Sequence, residues 1–93
     1  MDRARNLSLL QELTGRFGVS GFEEDVRGFL EARLAELGFA TSLDKLGSLI
    51  ARYPGSGRRV MLVAHMDEIG MVVRYVDERG FLYLTPVGGV NAR

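Results

Sequence analysis

The chain has 93 residues, enough for one small domain that buries about 60–65% of the surface its unfolded chain exposes. Twelve Lys and Arg balance twelve Asp and Glu, so no net field recommends nucleic acid or an anionic membrane as a partner. Cysteine is absent, which excludes a disulfide framework, a thiolate metal site and a cysteine nucleophile, and accords with a cytoplasmic location.

The first residues, Met1-Asp2-Arg3-Ala4-Arg5, are charged and lead into a segment holding Gln11 and Glu12. They lack the uninterrupted apolar stretch and small-residue cleavage site of a secretory signal. No apolar segment approaches the roughly 18–20 residues needed to cross a bilayer. Leu10, Leu13 and Phe17 then recur on one helical face, which predicts a short helix over about residues 7–17. Gly18-Val19-Ser20-Gly21 breaks it. Ser20 and Glu23 have the S-x-x-E spacing of a capping box. Glu23, Glu24 and Asp25 would place negative charge in the first turn of a second helix, where the helix dipole favours it. Val26, Leu30, Leu34 and Leu37 form its apolar stripe and Gly38 fits the position after its end, predicting a helix over about residues 22–37.

From Phe39 the pattern changes to short strands. Residues 39–43 and 49–53 flank Asp44-Lys45-Leu46-Gly47-Ser48, a turn with a glycine available for positive φ. Pro54-Gly55-Ser56-Gly57 turns the chain again and leads to Val60-Met61-Leu62-Val63-Ala64. Five consecutive apolar residues suit a strand buried on both faces. Residues 71–76 and 81–87 flank Asp77-Glu78-Arg79-Gly80 and read as a hairpin. Gly88-Gly89 with Asn91 is a further turn signal.

The chemistry gathers where the apolar run ends. His65 is the only histidine, and Asp67 follows two positions later. Polar residues at the end of a buried strand sit where α/β proteins place their ligands. A neutral imidazole binds metal when a neighbouring group fixes its tautomer, and Asp67 is the candidate for that group. His-x-Asp alone is a weak pattern, equally open to an ordinary polar residue at a strand end.

The longer context is more specific. Ala64-His65-Met66-Asp67-Glu68-Ile69-Gly70 resembles the metal-binding signature of the M42 family of dinuclear metallo-aminopeptidases. That family includes tetrahedral and glutamyl aminopeptidases and proteins often labelled endoglucanase. Gly18-Val19-Ser20-Gly21-Phe22-Glu23-Glu24, Asp44-Lys45-Leu46-Gly47-Ser48-Leu49-Ile50 and Pro86-Val87-Gly88-Gly89-Val90 match too, in family order. The resemblance runs from about Leu9 to Arg93.

It implies a mixed α/β fold: residues 1–75 as the N-terminal part of a peptidase catalytic domain, and 76–93 as the start of a β-rich insertion domain that helps build the oligomer. It implies hydrolysis of N-terminal peptide bonds in peptides by a metal-activated water. Two divalent ions, zinc or cobalt, would be bound, in a large homo-oligomer that is often a dodecamer. His65 would be a metal ligand and Asp67 the active-site residue that orients it. The family's general base is a glutamate much further along, so Glu68 is assigned neither role. Glu23 and Glu24 have a sufficient explanation in helix capping. Pro54-Gly55-Ser56-Gly57-Arg58-Arg59 precedes a strand and lacks the Gly-x-x-x-x-Gly-Lys pattern, which makes it a surface turn and not a phosphate cradle.

A dinuclear site needs roughly two or three protein ligands per metal, and one histidine with one adjacent carboxylate supplies a corner of it. The expectation is weak or no metal binding and no peptidase activity for this chain alone, as for a truncated or partial protein. The Val60–Ala64 strand would then lack its neighbours, and its apolar edge would make the isolated chain oligomeric or poorly soluble. The alternatives are a non-catalytic remnant that associates through exposed strands, and a glycoside hydrolase. The latter needs two carboxylates flanking a sugar site about 5–10 Å apart, and no such pair stands out.

Overall fold

The computed structural model describes residues 2–91. Two helices come first and four strands follow, an α/β order: α1 (Arg3–Thr14), α2 (Glu24–Glu36), β1 (Ala40–Leu43), β2 (Leu49–Arg52), β3 (Gly70–Val76) and β4 (Leu82–Val87).

Helix α1 starts four residues earlier than the apolar spacing indicates because Asp2 caps it. The Asp2 carboxylate accepts from the backbone N–H groups of Ala4 and Arg5 at 3.0 and 3.3 Å, filling orphan donors of the first turn. The helix stops at Thr14, whose hydroxyl donates back to the Leu10 carbonyl at 2.8 Å. Just beyond it, the Arg16 guanidinium joins the two helices. It pairs with Glu12 and Asp25, each at 3.0 Å, and lies 4.2 Å over the Phe29 ring.

The expected capping box at the start of α2 does not form. The helix begins at Glu24, with Glu23 in the cap position and no side-chain cap bond. The reason is a turn: Phe22 N–H donates to the Val19 carbonyl at 2.8 Å and Gly21 takes φ 89°. This moves Ser20 away from the helix start, and Glu23 accepts instead from the Gly21 N–H at 2.7 Å. Glu24 and Asp25 occupy the first turn, as the dipole favours. At the other end, Gly38 (φ 83°) donates to the Ala35 carbonyl and Phe39 to that of Leu34. That pair of bonds is a Schellman stop.

Strands β1 and β2 form one antiparallel hairpin, β3 and β4 another, and the two sheets share no hydrogen bonds. Their loops are built alike. In each, an aspartate carboxylate accepts from the N–H two and four residues on: Leu46 and Ser48 for Asp44, Arg79 and Phe81 for Asp77. Each ends on a glycine with positive φ, Gly47 at 87° and Gly80 at 86°. Tyr75 and Tyr83 pair across β3 and β4 with ring centroids 5.6 Å apart, just past an irregularity at Val73/Tyr75. Helix α2 packs on β1 and β2.

The expected doubly buried strand over Val60–Ala64 is absent among the described residues. Residues 60–64 pair with no strand, and Val60, Met61, Leu62 and Val63 are 81–93% exposed. A strand exists by virtue of its ladder, and both hairpins have already closed on themselves. Buried hydrophobic side chains among the described residues are Val19 and Val26 alone. The radius of gyration is 17.5 Å, against about 12 Å for a compact domain of this length. The fold is therefore open, and its small core lies where the α1–α2 connection meets the chain just before β3.

Candidate functional site

That junction is a backbone stitch between two segments far apart in sequence. Glu68 N–H donates to the Gly18 carbonyl at 2.8 Å, and Val19 and Glu68 form an isolated parallel bridge. Glycines permit the approach. A Cβ on Gly70 would collide with the Val19 side chain, and one on Gly18 would come within 2.8 Å of a Val26 methyl. The stitch thus brings together two of the motifs found in the sequence, Gly18–Glu24 and Ala64–Gly70.

His65 and Asp67 stand side by side on the second of these segments. His65 Nδ1 lies 3.0 Å from the Asp67 carbonyl oxygen and 3.2 Å from its carboxylate Oδ1. Both neighbours are acceptors, so the arrangement favours the tautomer with the proton on Nδ1 and the lone pair on Nε2. The imidazole side chain is 87% exposed, and that of Asp67 40%. Ser20 completes the group: its hydroxyl donates to Asp67 Oδ2 at 2.5 Å. This bond holds the Asp67 carboxyl below its ordinary value of 3.8, with the neighbouring imidazole adding to the effect and partial desolvation opposing it. Glu68 takes part through its backbone. His65 and Asp67 also border an open concavity of about 1740 Å³ lined in part by Ile50 and Tyr53 and by Leu62.

An imidazole whose Nδ1 is held by a carboxylate and whose Nε2 faces outward has the donor chemistry of one metal ligand with its orienting partner. The residues fit one coordination position and no more: among the described residues no three His, Cys, Asp or Glu side chains gather where they could share an ion. Ser20 is the member that reading the sequence missed, because its spacing to Glu23 assigned it to a helix cap. The available signal was its place inside the family-matching motif Gly18–Glu24.

The structure is thus an α/β chain presenting an oriented His–Asp pair at the mouth of a strand. The profile of the M42 glutamyl aminopeptidases matches residues 47–93, and the chain belongs to that family. It is 43% identical over 91 residues to an Acetivibrio thermocellus protein provisionally named an aminopeptidase, covering 98% of this chain and 28% of the relative. It is 39% identical over 83 residues to the lysyl aminopeptidase of Pyrococcus furiosus, and 38% over 85 residues to the glutamyl aminopeptidase of Lactococcus lactis subsp. cremoris. Each of these alignments covers 88% of this chain and 24% of the relative. The chain spans about a quarter of the length of these relatives. Among the described residues no helix is long and apolar enough to cross a membrane.

Proposed function

We propose that this chain is the N-terminal part of the catalytic domain of a cytoplasmic, metal-dependent aminopeptidase, with residues 76–93 opening a β-rich insertion domain. Its substrates are peptides, and the bond cleaved is the N-terminal one. The observation that carries the reading is the His65–Asp67 pair, with Nδ1 engaged by Asp67 and Nε2 left free. His65 would hold one of two divalent ions, zinc or cobalt, through Nε2, and Asp67 would keep the ring in the ligating tautomer. When bound, such ions acidify a water and polarise the scissile carbonyl. With one histidine in the sequence and no group of three candidate ligand side chains among the described residues, this reading takes the remaining ligands and the general base from outside these 93 residues. The relatives' names point to both lysyl and glutamyl peptides, so the family alone assigns no side-chain preference here.

The exposed Val60–Val63 segment supports a second property, self-association into a homo-oligomer through unpaired strands.

The test uses the purified chain, an aminoacyl-nitroanilide, a cellulose oligomer and zinc. The expected result is no hydrolysis of either substrate, with zinc perturbing the imidazole nitrogens of His65 and the His65→Ala variant losing that weak binding. Chelator-sensitive peptide cleavage by the chain alone would overturn its assignment as one corner of the site. Cleavage of the cellulose oligomer would replace the reaction class, and zinc that left His65 unperturbed would remove the ligand role.

A further inference from the structure

We infer that Ser20 is a positioning residue for the site: through Asp67 it selects the tautomer and orientation in which His65 offers Nε2 to a metal. The inference rests on His65 being a ligand, as proposed above, and adds a residue from a different part of the chain.

The geometry runs in one line across two segments. Ser20 Oγ donates to Asp67 Oδ2, a side-chain contact 47 residues apart in sequence. The other carboxylate oxygen, Oδ1, is thereby turned toward His65 Nδ1 at 3.2 Å. Without the serine bond, the half-buried Asp67 carboxylate can turn among the staggered wells of its side-chain torsions, and Oδ1 faces the imidazole for only part of the time. The Asp67 carbonyl at 3.0 Å does not depend on that rotation, so removing Ser20 weakens the hold on Nδ1–H without abolishing it.

Ser20 is itself held in place by neighbours that do not involve its hydroxyl. The Glu68 N–H to Gly18 carbonyl bond, the Val19–Glu68 bridge and the Phe22 N–H to Val19 carbonyl turn fix the backbone on either side. Val19 beside it is buried. The serine is therefore presented by a preformed loop, which is what a supporting hydrogen bond needs in order to lock its partner. Its hydroxyl makes no bond to α2, so the capping role that would otherwise explain it is vacant.

The test exploits the single histidine of the sequence, whose two imidazole ¹⁵N signals need no assignment among competitors. In the metal-free 93-residue chain, at a pH well above the reference imidazole value, wild type should show the proton mainly on Nδ1. Ser20→Ala should lower the ratio of Nδ1–H to Nε2–H at least twofold, while the Glu68 amide signal stays in place. Ser20→Thr, which keeps a hydroxyl, should restore the wild-type ratio. Asp67→Ala sets the lower limit. In a zinc titration followed at Nε2, Ser20→Ala should weaken binding by up to about tenfold.

An unchanged tautomer ratio in Ser20→Ala, with the Glu68 amide unmoved, overturns the inference. If Ser20→Ala disrupts the fold, Ser20→Cys, similar in size with a weak S–H donor, decides: the wild-type ratio overturns the inference, and a ratio lowered toward that of Asp67→Ala upholds it. Zinc that fails to perturb Nε2 in wild type sinks the ligand role itself. That outcome is distinct, because the tautomer ratio is read without metal.

Discussion

Residues 60–64 and 65–70 are adjacent in the chain and opposite in fate. The first five are all apolar, yet Val60, Met61, Leu62 and Val63 lie open to solvent, with Leu62 at 93%. The next six carry the polar chemistry, and while the His65 ring stays exposed, the residues behind it are docked: Glu68 on Gly18, Asp67 on Ser20, and Gly70 against Val19. Burial here follows the availability of a partner and not hydrophobicity. The loop after α1 supplies that partner to Asp67–Gly70, and no described segment supplies one to Val60–Ala64. An apolar run specifies that a strand should be buried, while the ladder and cover that bury it lie elsewhere.

The junction is most vulnerable at Gly70. Gly70→Val places a branched side chain where the Val19 methyls already lie, and overpacking of that kind costs about 1–3 kcal/mol. The docked half should then detach, seen as loss of hydrogen-exchange protection at the Glu68 amide and a lower unfolding midpoint. Protection that persists would mean the two segments are held together by something other than this close approach.

A second variant acts on the undocked half. Leu62→Lys adds charge to a side chain that touches little, so stability should change by no more than about 0.5 kcal/mol. Self-association measured by light scattering should fall, because a lysine on an open strand edge opposes pairing. Unaltered association would place the contact on another surface.

Local closure of a turn, unlike docking at a distance, involves few groups, and disturbing it should have the smallest effect. The Asp44 turn is closed within five residues, and its carboxyl is held below the ordinary 3.8, first by the Ser48 backbone N–H. A carboxylate with a depressed value stabilises the folded turn above 3.8, and that contribution fades as pH falls through the lower folded value. An acid titration followed at the Leu46 and Ser48 amides should give a midpoint below 3.8 and a slight loosening of the hairpin below it. A midpoint at or above 3.8 would mean that the carboxylate bonds do not persist in solution.

Much of the architecture is legible in local patterns. Asp44 and Gly47, like Asp77 and Gly80, mark loops whose bonds all fall within five residues, and both hairpins lie where that spacing puts them. Gly38 stops α2 through bonds that reach back three residues, from its own N–H to the Ala35 carbonyl, and five, from the Phe39 N–H to the Leu34 carbonyl. The α2 start misleads for the opposite reason. Ser20 and Glu23 satisfy a local capping pattern, but each finds a better partner, Asp67 and the Gly21 N–H, once the chain turns at Val19–Phe22. The early start of α1 depends on Asp2, a capping residue hidden among charges that apolar spacing does not weigh.

The amino-acid sequence alone therefore determines the helix–strand order, the two hairpin turns, the His65–Asp67 pair and, through four ordered motifs, the family. Each of these depends on contacts or patterns a few residues long. Tertiary structure decides that Ser20 belongs to Asp67, that Gly18 and Glu68 are joined, and that Val60–Val63 stay exposed. Those outcomes turn on partners 47 to 50 residues away or absent among the described residues, and no local pattern encodes which distant group will arrive.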